Sequence, residues 1–394
     1  MSYLWERDQG QWDSPACILV VDDSPLNRSL LTNSLNQDGY RCWEASNGRE
    51  AMKALSLHPE VDLILLDLMM PEMDGFDFLK WRMDNPHARE VPVIVNSSLD
   101  DVESLTKVLV MDCYGYFVKP LSEVDLELVL PLKIRNAVNS RRMMADLRAK
   151  NQFMAEELEL AARYQQFLLP KQMQMPGLEA AWLFKPCLGV GGDYFDFFEI
   201  PGGDFGLVVA DVSGHGMASA MTASILKALV PSYLYNYPSP ADILKLLNLD
   251  LLRLTPDDVF VSTFLGRYSP DAKCLTWCLA GHPSPLLQEP GGRVTPLEQS
   301  SPFLGVFSND HPLLQYFDRQ SYLTVGQRLV IYTDGLLDAP DAQGLAMGPE
   351  RLELLLEQHR VLTASQLAQK LDAELSQCDG QYLPDDVAAI IMDF

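Results

Sequence analysis

The stretch FGLVVADVSGHG, residues 205–216, joins an apolar run to a polar turn that carries three reactive side chains. The apolar run predicts a buried strand, and the turn offers Asp211 as a metal ligand, Ser213 as a nucleophile and His215 as a base. A serine nucleophile needs a well-positioned base, which a histidine two residues further along the same turn does not provide. We therefore interpret Ser213 as a backbone-shaping residue and His215 as a turn residue or a general acid. Asp211 is the residue that we expect to carry the chemistry.

Three further stretches in the second half of the chain bring carboxylates to predicted strand ends. LGVGGDYFDFFEI places Asp193 after a glycine pair, RLVIYTDGLLD places Asp334 after a strand, and YLPDDVAAIIMDF places Asp385 ahead of a terminal strand. One Asp-Gly is usually a turn, but four carboxylates in one pocket repel one another unless cations lie among them. Glycine allows close approach of backbone and oxyanions, so the two glycines of DVSGHG are expected to make room at the turn.

The ligand set of these four aspartates indicates the chemistry. Oxygen ligands without a cysteine or histidine repeat favour Mg²⁺ or Mn²⁺. A pair of such ions lowers the pKa of a bridging water and binds a phosphoryl oxygen. We expect hydrolysis of a phosphate ester, with Asp211 and Asp193 acting through the metal-bound water and no protein nucleophile.

The first half of the chain alternates apolar runs with amphipathic helical patterns. The runs CILVV, VDLILLDL, VPVIVNSS and YFVKP predict four strands, and this alternation predicts a doubly wound parallel sheet of the flavodoxin-like kind. Ligands of such sheets bind at the carboxyl ends of the strands. The polar residues at those ends are Asp22, Asp23, Asp67, Ser97 and Lys119. Three carboxylates there predict a Mg²⁺ site, and the hydroxyl and the ammonium group are suited to phosphate oxygens.

These residues resemble a response-regulator receiver domain over about 15–130, through VVDDS, DLMMPEMDGF, SS and YFVKP. The resemblance implies a receiver domain at 15–132 that a sensor histidine kinase phosphorylates. By the resemblance, Asp67 is the phosphoacceptor and binds Mg²⁺ together with Asp22 and Asp23. It also implies phosphoryl contacts from Ser97 and Lys119, a switch role for Tyr116 and a cis peptide at Lys119-Pro120.

Residues 133–169 form the predicted helical linker and contain neither glycine nor proline. Ser122 to Asp125 reads as a capping box ahead of it, and Pro131 is expected to kink or restart the helix. Alternating spacings of four and three define an apolar seam with two polar positions. Its members are Leu147, Asn151, Met154, Leu158, Ala161, Gln165 and Leu168. The seam predicts a coiled-coil homodimer, and the alternative is a helix that packs on its own domain.

The second half resembles the PPM-type metal-dependent serine/threonine phosphatases of the SpoIIE and RsbU branch, from about 155 to 394. The motifs are AARYQQFLLP, GGDYFD, DVSGHGMASA, FVSTFLGRYSPD, LAGHPSPLL, PFLGV, IYTDG and DDVA. The resemblance implies an α/β/β/α sandwich at 170–394 with two Mn²⁺ or Mg²⁺ ions. The implied ligands are Asp193, Asp211, Asp334, Asp385 and the carbonyl of Val212. Ala388 departs from the family, in which many members carry threonine.

The resemblance also suggests a partner. For the phosphatase branch it is a phosphorylated anti-anti-sigma factor of the STAS class, so that the circuit would regulate a sigma factor. The layout of the whole chain also resembles RssB-type adaptors, which deliver the stationary-phase sigma factor to a protease and use the phosphatase-like domain as a binding surface. The presence of the aspartates favours catalysis over this alternative.

Composition excludes other function classes. The net charge of −24 argues against nucleic acid as a partner. The only basic cluster is expected to be a solvated helix face, and it consists of Lys133, Arg135, Arg141, Arg142, Arg148 and Lys150. No apolar stretch reaches the roughly 18 residues of a membrane span, and the first residues lack the pattern of a secretory signal. We expect a cytoplasmic protein.

Overall fold

The structure is a computed structural model that describes residues 15–98, 102–122, 124–170, 178–340, 344–376 and 383–394. The chain divides into two compact units, Met1–Met154 and Ala155–Phe394. Residues 1–14, on which the expectation about a secretory signal rests, lie outside the described residues.

The first unit contains one parallel sheet with the strand order β2-β1-β3-β4-β5. Its strands are β1 Cys17–Val21, β2 Arg41–Ala45, β3 Val61–Leu66, β4 Val93–Ser97 and β5 Gly115–Val118. Its helices are α1 Pro25–Gln37, α2 Gly48–Leu57, α3 Gly75–Asp84, α4 Pro86–Arg89 and α5 Val102–Val110. β1 and β3 are buried along their whole length, as expected for parallel strands covered on both faces. Because these two strands are neighbours, the residues that follow them meet at one edge of the sheet.

A π-helical turn, Asp125–Val129, leads into the long helix α6, Leu130–Leu168. The predicted capping box is present: the Ser122 N–H donates to the Asp125 carboxylate, and the Asp125 N–H donates to Ser122 Oγ, both at 3.1 Å. Pro131 is the second residue of α6 and directly follows the π-helical turn, in which the Leu130 N–H donates to the Asp125 carbonyl. The proline cannot donate a helical hydrogen bond, so the ladder is irregular at this point.

Two arginines of α6 do not form the solvated face that the sequence suggested. Asp62 of β3 is buried and accepts hydrogen bonds from Arg141 at 2.9 Å and from Arg142 at 2.5 Å. The same carboxylate accepts the Cys17 N–H at 3.1 Å. A buried carboxylate requires such partners, so these arginines fasten α6 to the sheet of the first unit. The expectation of solvation was wrong for this pair, because sequence gave no sign of the carboxylate that they meet.

The predicted seam of α6 is exposed in part. Leu147, Met154 and Leu158 are exposed apolar residues, as a seam that awaits a partner helix would be. Gln165 instead binds the backbone of Gly191 in the second unit. The assignment of Gln165 to the seam was therefore wrong, and near its end the helix packs on its own domain.

The second unit contains two antiparallel sheets, ordered β13-β10-β9-β8-β7 and β12-β11-β14-β15-β6. The strands are β6 Glu179–Lys185, β7 Tyr194–Ile200, β8 Asp204–Val212, β9 Val261–Ser269, β10 Cys274–Ala280, β11 Leu286–Gln288, β12 Val294–Pro296, β13 Arg319–Tyr322, β14 Arg328–Tyr332 and β15 Val387–Asp393. The helices are α7 Met217–Asn236, α8 Pro240–Leu254, α9 Gly335–Asp338, α10 Gly348–Gln358 and α11 Ala364–Ser376.

Strand β8 shows how the layers are built. Val208, Ala210 and Val212 pack in the core beneath α7 and α8, whereas Leu207 and Val209 pack in the core between the two sheets. Successive strand residues face opposite sides, and both sides are covered here, so the run is apolar without alternation. A third core lies between the other sheet and α9–α11. The predicted α/β/β/α sandwich and the parallel N-terminal sheet are both confirmed.

In the described part of the chain, no helix is both long enough and apolar enough to cross a membrane. Helix α6 has 39 residues, but charged side chains occur along most of its length.

Candidate functional site

The N-terminal acidic cluster consists of Asp22, Asp23 and Asp67, whose carboxylate oxygens lie within 4.8 Å of one another. Asp22 and Asp23 directly follow β1, and Asp67 directly follows β3. Asp22 and Asp67 are buried, whereas Asp23 is exposed. Backbone N–H groups help to orient the buried pair, from Ser24 to Asp22 and from Met69 to Asp67. The cluster has the oxygen ligands that suit Mg²⁺.

Lys119 joins this cluster from the end of β5. Its ammonium group donates to Asp22 Oδ2 at 2.7 Å and to Asp67 Oδ2 at 2.5 Å. Burial acts to lower the pKa of Lys119, but the hydrogen bonds and charges of the two aspartates outweigh burial and raise it. The lysine therefore stays charged and offsets part of the negative charge of the cluster.

The two remaining residues predicted for this edge lie on neighbouring strands. Ser97 is buried at the end of β4, and Tyr116 is half-buried in β5. The backbone N–H of Lys119 donates to the carbonyl of Ser97 at 2.9 Å. The Lys119-Pro120 peptide is cis, as the resemblance implied.

The C-terminal acidic cluster consists of Asp193, Asp211, Asp334 and Asp385. Asp193 directly precedes β7, and Asp211 lies near the end of β8. Asp334 is the N-cap of α9, and Asp385 lies two residues before β15. Asp193 is buried, Asp211 and Asp385 are half-buried, and Asp334 is exposed. Two strands of one sheet and two segments of the other carry the four carboxylates, and their charges act on one another. Among the described residues, no three of these four meet the 4.8 Å spacing of the N-terminal acidic cluster.

Burial and mutual repulsion raise the pKa values in this cluster. Burial, followed by the charge of Asp211, raises the pKa of Asp193 well above its usual range. Burial, followed by the charges of Asp334 and Asp385, raises the pKa of Asp211 to about 7. The pKa values of Asp334 and Asp385 are also raised, with burial as the first cause. Carboxylates with such pKa values resist ionisation until a cation joins them.

Thr333 was not singled out from the sequence, although it directly precedes Asp334. Its hydroxyl donates to Asp193 Oδ2 at 2.7 Å and accepts the Ala388 N–H at 2.9 Å. The other oxygen of Asp193, Oδ1, is buried and has no hydrogen-bond partner among the described residues. A buried carboxylate oxygen without a donor fits a cation ligand, and the all-oxygen donor set suits a divalent hard ion.

The carbonyl of Val212 lies against the glycine pair that precedes Asp193. A Cβ atom at Gly192 would come within 2.8 Å of the Val212 oxygen, closer than side chains and carbonyls approach. Glycine at this position therefore brings the Val212 carbonyl beside the Asp193 loop.

The implied metal ligand in the acidic pair is Asp385, and its neighbour Asp386 has a structural role. Its buried carboxylate accepts the Cys187 N–H at 2.8 Å and the Gly192 N–H at 2.6 Å. Gly191 packs directly on it, because a Cβ there would lie 2.5 Å from the Asp386 carboxyl carbon. The acidic pair thus divides its roles, since Asp386 holds the loop and Asp385 faces the cluster.

The two glycines of DVSGHG have a different role from the expected one. Gly214 and Gly216 have φ angles of 82° and 86°, which only glycine adopts readily. A Cβ at Gly214 would meet nothing within 4 Å, and one at Gly216 only the end of Leu188 at 4.0 Å. They are required for backbone conformation, and the room at the site is made by Gly191, Gly192 and Gly335.

Ser213 and His215 do not form a dyad. Ser213 exchanges two hydrogen bonds with the backbone of Phe260, since its N–H donates to the carbonyl and its Oγ accepts the N–H. His215 is exposed, and its charge acts to lower the pKa of Asp385. The hydrogen bonds of Ser213 with Phe260 show that Ser213 shapes the backbone, as predicted.

A third polar residue, His282, is buried and shares a 2.9 Å hydrogen bond with Ser262.

Comparison with known families agrees with both halves of the chain. The response regulator receiver domain model matches residues 18–130. The Stage II sporulation protein E (SpoIIE) model matches residues 201–394. The two matches fall on the two units of the structure.

Individual relatives cover each unit separately. The phosphoserine phosphatase RsbU of Bacillus subtilis is 27% identical over 248 residues, which is 62% of this chain and 72% of RsbU. The two-component response regulator ORR3 of Oryza sativa is 32% identical over 109 residues, which is 28% of this chain and 83% of ORR3. The SiaA-PP2C domain of Pseudomonas aeruginosa has the same fold, with a TM-score of 0.56 at 21% identity, over 62% of this chain and 99% of that domain. The chain therefore belongs to the two-component response regulators, and its second domain is a phosphatase domain of the SpoIIE type.

Proposed function

We propose that phosphorylation of Asp67 in this response regulator controls a metal-dependent protein serine/threonine phosphatase. The observation that carries the proposal is the C-terminal acidic cluster, in which burial raises the pKa values of four neighbouring aspartates. Such a cluster is unfavourable without cations and useful with them. PPM phosphatases are metal-dependent enzymes, which agrees with this chemistry.

The residues that would hold two divalent ions, Mn²⁺ or Mg²⁺, divide into two sets. Asp211, Asp334 and Asp385 would hold one ion, and Asp193, Asp211 and the Val212 carbonyl would hold the other. When bound, such ions supply a hydroxide at neutral pH and stabilise the charge on a phosphoryl oxygen. Asp193 and Asp211 would hold and orient the ions. The hydrogen bond from the Thr333 hydroxyl fixes the orientation of the Asp193 carboxylate.

In the receiver domain, Asp67 would accept the phosphoryl group, with Mg²⁺ held by Asp22, Asp23 and Asp67. The ammonium group of Lys119 already lies 2.5 Å from Asp67, within reach of a phosphoryl oxygen bound there. Ser97 would contact a second oxygen, and Tyr116 would respond to that contact. The phosphoryl donor is a kinase partner, and we propose a sensor histidine kinase.

The proposed substrate is a phosphoserine or phosphothreonine of a STAS anti-anti-sigma factor. Similarity to a phosphoserine phosphatase over 248 residues supports the phosphoserine chemistry. Dephosphorylation of such a partner would regulate a sigma factor. The RssB-type adaptor remains the alternative, but the intact acidic cluster favours catalysis over a passive binding surface.

The exposed apolar part of α6 supports a homodimer. Leu147, Met154 and Leu158 are 53%, 61% and 38% exposed, and they follow the spacing of a coiled-coil seam. A second copy of the same helix offers a matching stripe. We propose that the dimer contact covers the seam from Leu147 to Leu158.

A phosphatase assay of the full chain tests catalysis and control together. Purified protein with Mn²⁺ should hydrolyse a phosphoserine STAS partner or an aryl phosphate, and beryllofluoride, which mimics the acyl phosphate, should change the rate. Asp67→Asn should keep a basal rate and lose the response to beryllofluoride. Inertness of the wild-type protein with every divalent metal would refute the catalytic proposal, and binding of a sigma factor by such an inert protein would support the adaptor.

A further inference from the structure

The side-chain amide of Gln165 on α6 binds both backbone groups of Gly191. Its Nε2 donates to the Gly191 carbonyl at 2.6 Å, and its Oε1 accepts the Gly191 N–H at 3.0 Å. A primary amide can pair in this way with the N–H and the C=O of a single residue, because it carries a donor and an acceptor side by side. The contact therefore fixes both the position and the orientation of the peptide backbone at Gly191, two residues before Asp193.

The same loop is also held by Asp386. Asp386 accepts the N–H groups of Cys187 and Gly192, and its carboxylate leaves no room for a side chain at Gly191. The loop thus hydrogen-bonds to both the Gln165 amide and the Asp386 carboxylate. A loop held by two such partners transmits a displacement of either partner to the residue that follows it.

Burial distinguishes Gln165 from its neighbour Gln166. Gly191 is buried and Gln165 is half-buried, whereas the neighbouring Gln166 is exposed. Hydrogen bonds shielded from water are stiffer than exposed ones, and their loss leaves buried polar groups without partners. Gln165 is the position at which α6 meets the loop, and Gln166 provides a matched control on the same helical turn.

We infer that Gln165 is a positioning residue for Asp193, through which helix α6 sets the affinity of the C-terminal acidic cluster for its metal ions. The inference rests on the proposed function and names the contact by which the helix would control the site. Movement of α6 that breaks the amide contact would free Gly191 and displace Asp193 from the Val212 carbonyl. The phosphatase would then lose metal first and activity as a consequence.

The test compares Gln165→Met with Gln166→Met in the full chain. Methionine preserves the length and bulk of glutamine but removes both hydrogen bonds. We expect the Mn²⁺ concentration for half-maximal activity of Gln165→Met to rise about fivefold to tenfold, in line with the loss of two modest hydrogen bonds. The rate at saturating Mn²⁺ should remain within about twofold of the wild-type rate, and Gln166→Met should change neither quantity.

Two readouts are independent of activity. Isothermal titration should show the same rise in the Mn²⁺ dissociation constant, and hydrogen exchange in the metal-free protein should accelerate at residues 187–193. Gln165→Asn, which keeps the amide but is one methylene shorter, should behave like Gln165→Met. Unchanged Mn²⁺ affinity together with unchanged exchange in both variants would overturn the inference, provided that circular dichroism shows both to be folded.

The inference and the proposed function fail in different ways. A wild-type protein that ignores beryllofluoride, combined with weakened Mn²⁺ binding by Gln165→Met, would refute control by Asp67 and leave the positioning role intact. A wild-type protein that responds to beryllofluoride, combined with unaltered Mn²⁺ binding by both Gln165 variants, would refute the positioning role alone.

Discussion

The two acidic clusters of this chain gather aspartates at strand ends but balance their charge differently. In the N-terminal acidic cluster, Lys119 forms ion pairs with Asp22 and Asp67. In the C-terminal acidic cluster, the charges that act on Asp193 and Asp211 come from other aspartates, and the charge of the exposed His215 acts to lower the pKa of Asp385. Lys119 offsets part of the charge of the first cluster, whereas under the proposed function ions from solution would balance the charge of the second.

This difference in charge balance suits the two clusters to different ligands. A cluster that is already partly neutralised is suited to gain and lose one phosphoryl group without unfolding its surroundings. A cluster of unbalanced carboxylates binds cations strongly, because each ion relieves repulsion as well as forming ligand bonds.

Asp211→Asn should remove phosphatase activity almost completely, by about a thousandfold, because this residue would serve both metal ions. Asp67→Asn in the other cluster should leave the basal rate within about twofold, since only the acceptor for phosphorylation is lost. Steady-state rates with an aryl phosphate at saturating Mn²⁺ measure both. Substantial activity in Asp211→Asn would show that the acidic cluster is not the catalytic centre.

Thr333→Val should weaken metal binding by about tenfold to a hundredfold, the usual range for loss of a hydrogen bond to a metal ligand. The hydroxyl of Thr333 supplies the hydrogen bond to Asp193 Oδ2, and valine keeps its shape without the donor. Thr333→Ser, which retains the hydroxyl, should restore most of the affinity. Calorimetric titration with Mn²⁺ separates the two variants, and equal affinities would contradict the role of the hydroxyl.

The metal-free protein should become less stable as the pH rises from about 4 through 7. The pKa of Asp211 is raised from 3.8 to about 7, so in this window the unfolded chain releases a proton that the folded chain retains, and stability falls with pH. Asp211→Asn should flatten this dependence, and saturating Mn²⁺ should reverse it. Thermal unfolding at several pH values is the measurement, and a metal-free stability that rises over this window would contradict the raised pKa.

Arg142→Ala should lower the free energy of unfolding of the first unit by about 1.5–3 kcal/mol, the range for a hydrogen bond to a charged group, because the buried Asp62 loses one of its two arginine partners. Arg148→Ala is the matched control on the same helix, since its ion pair with Glu90 is exposed and exposed pairs contribute about 0–1 kcal/mol. Denaturant unfolding of both variants measures the difference. Equal effects would mean that Asp62 does not fasten the helix.

Much of both sites could be predicted from the sequence because strand ends are visible in it. Apolar runs that finish at Asp22, Asp67 and Asp211 determine which side chains reach a sheet edge. The contacts of Thr333, Asp386 and Gln165 could not be predicted in this way. Each joins segments that are far apart in the chain, and no local pattern marks a hydroxyl or an amide that binds a distant backbone group.

Periodicity and residue type are local properties, so the two folds, the long helix and the candidate carboxylates could be predicted from the sequence. The hydrogen bonds that hold those carboxylates and the roles of the glycines depend on tertiary contacts. Gly214 and Gly216 serve backbone angles, whereas Gly191 and Gly192 admit the Asp386 carboxylate and the Val212 carbonyl. Close approach between distant segments depends on packing in three dimensions, which the order of residues along the chain does not display.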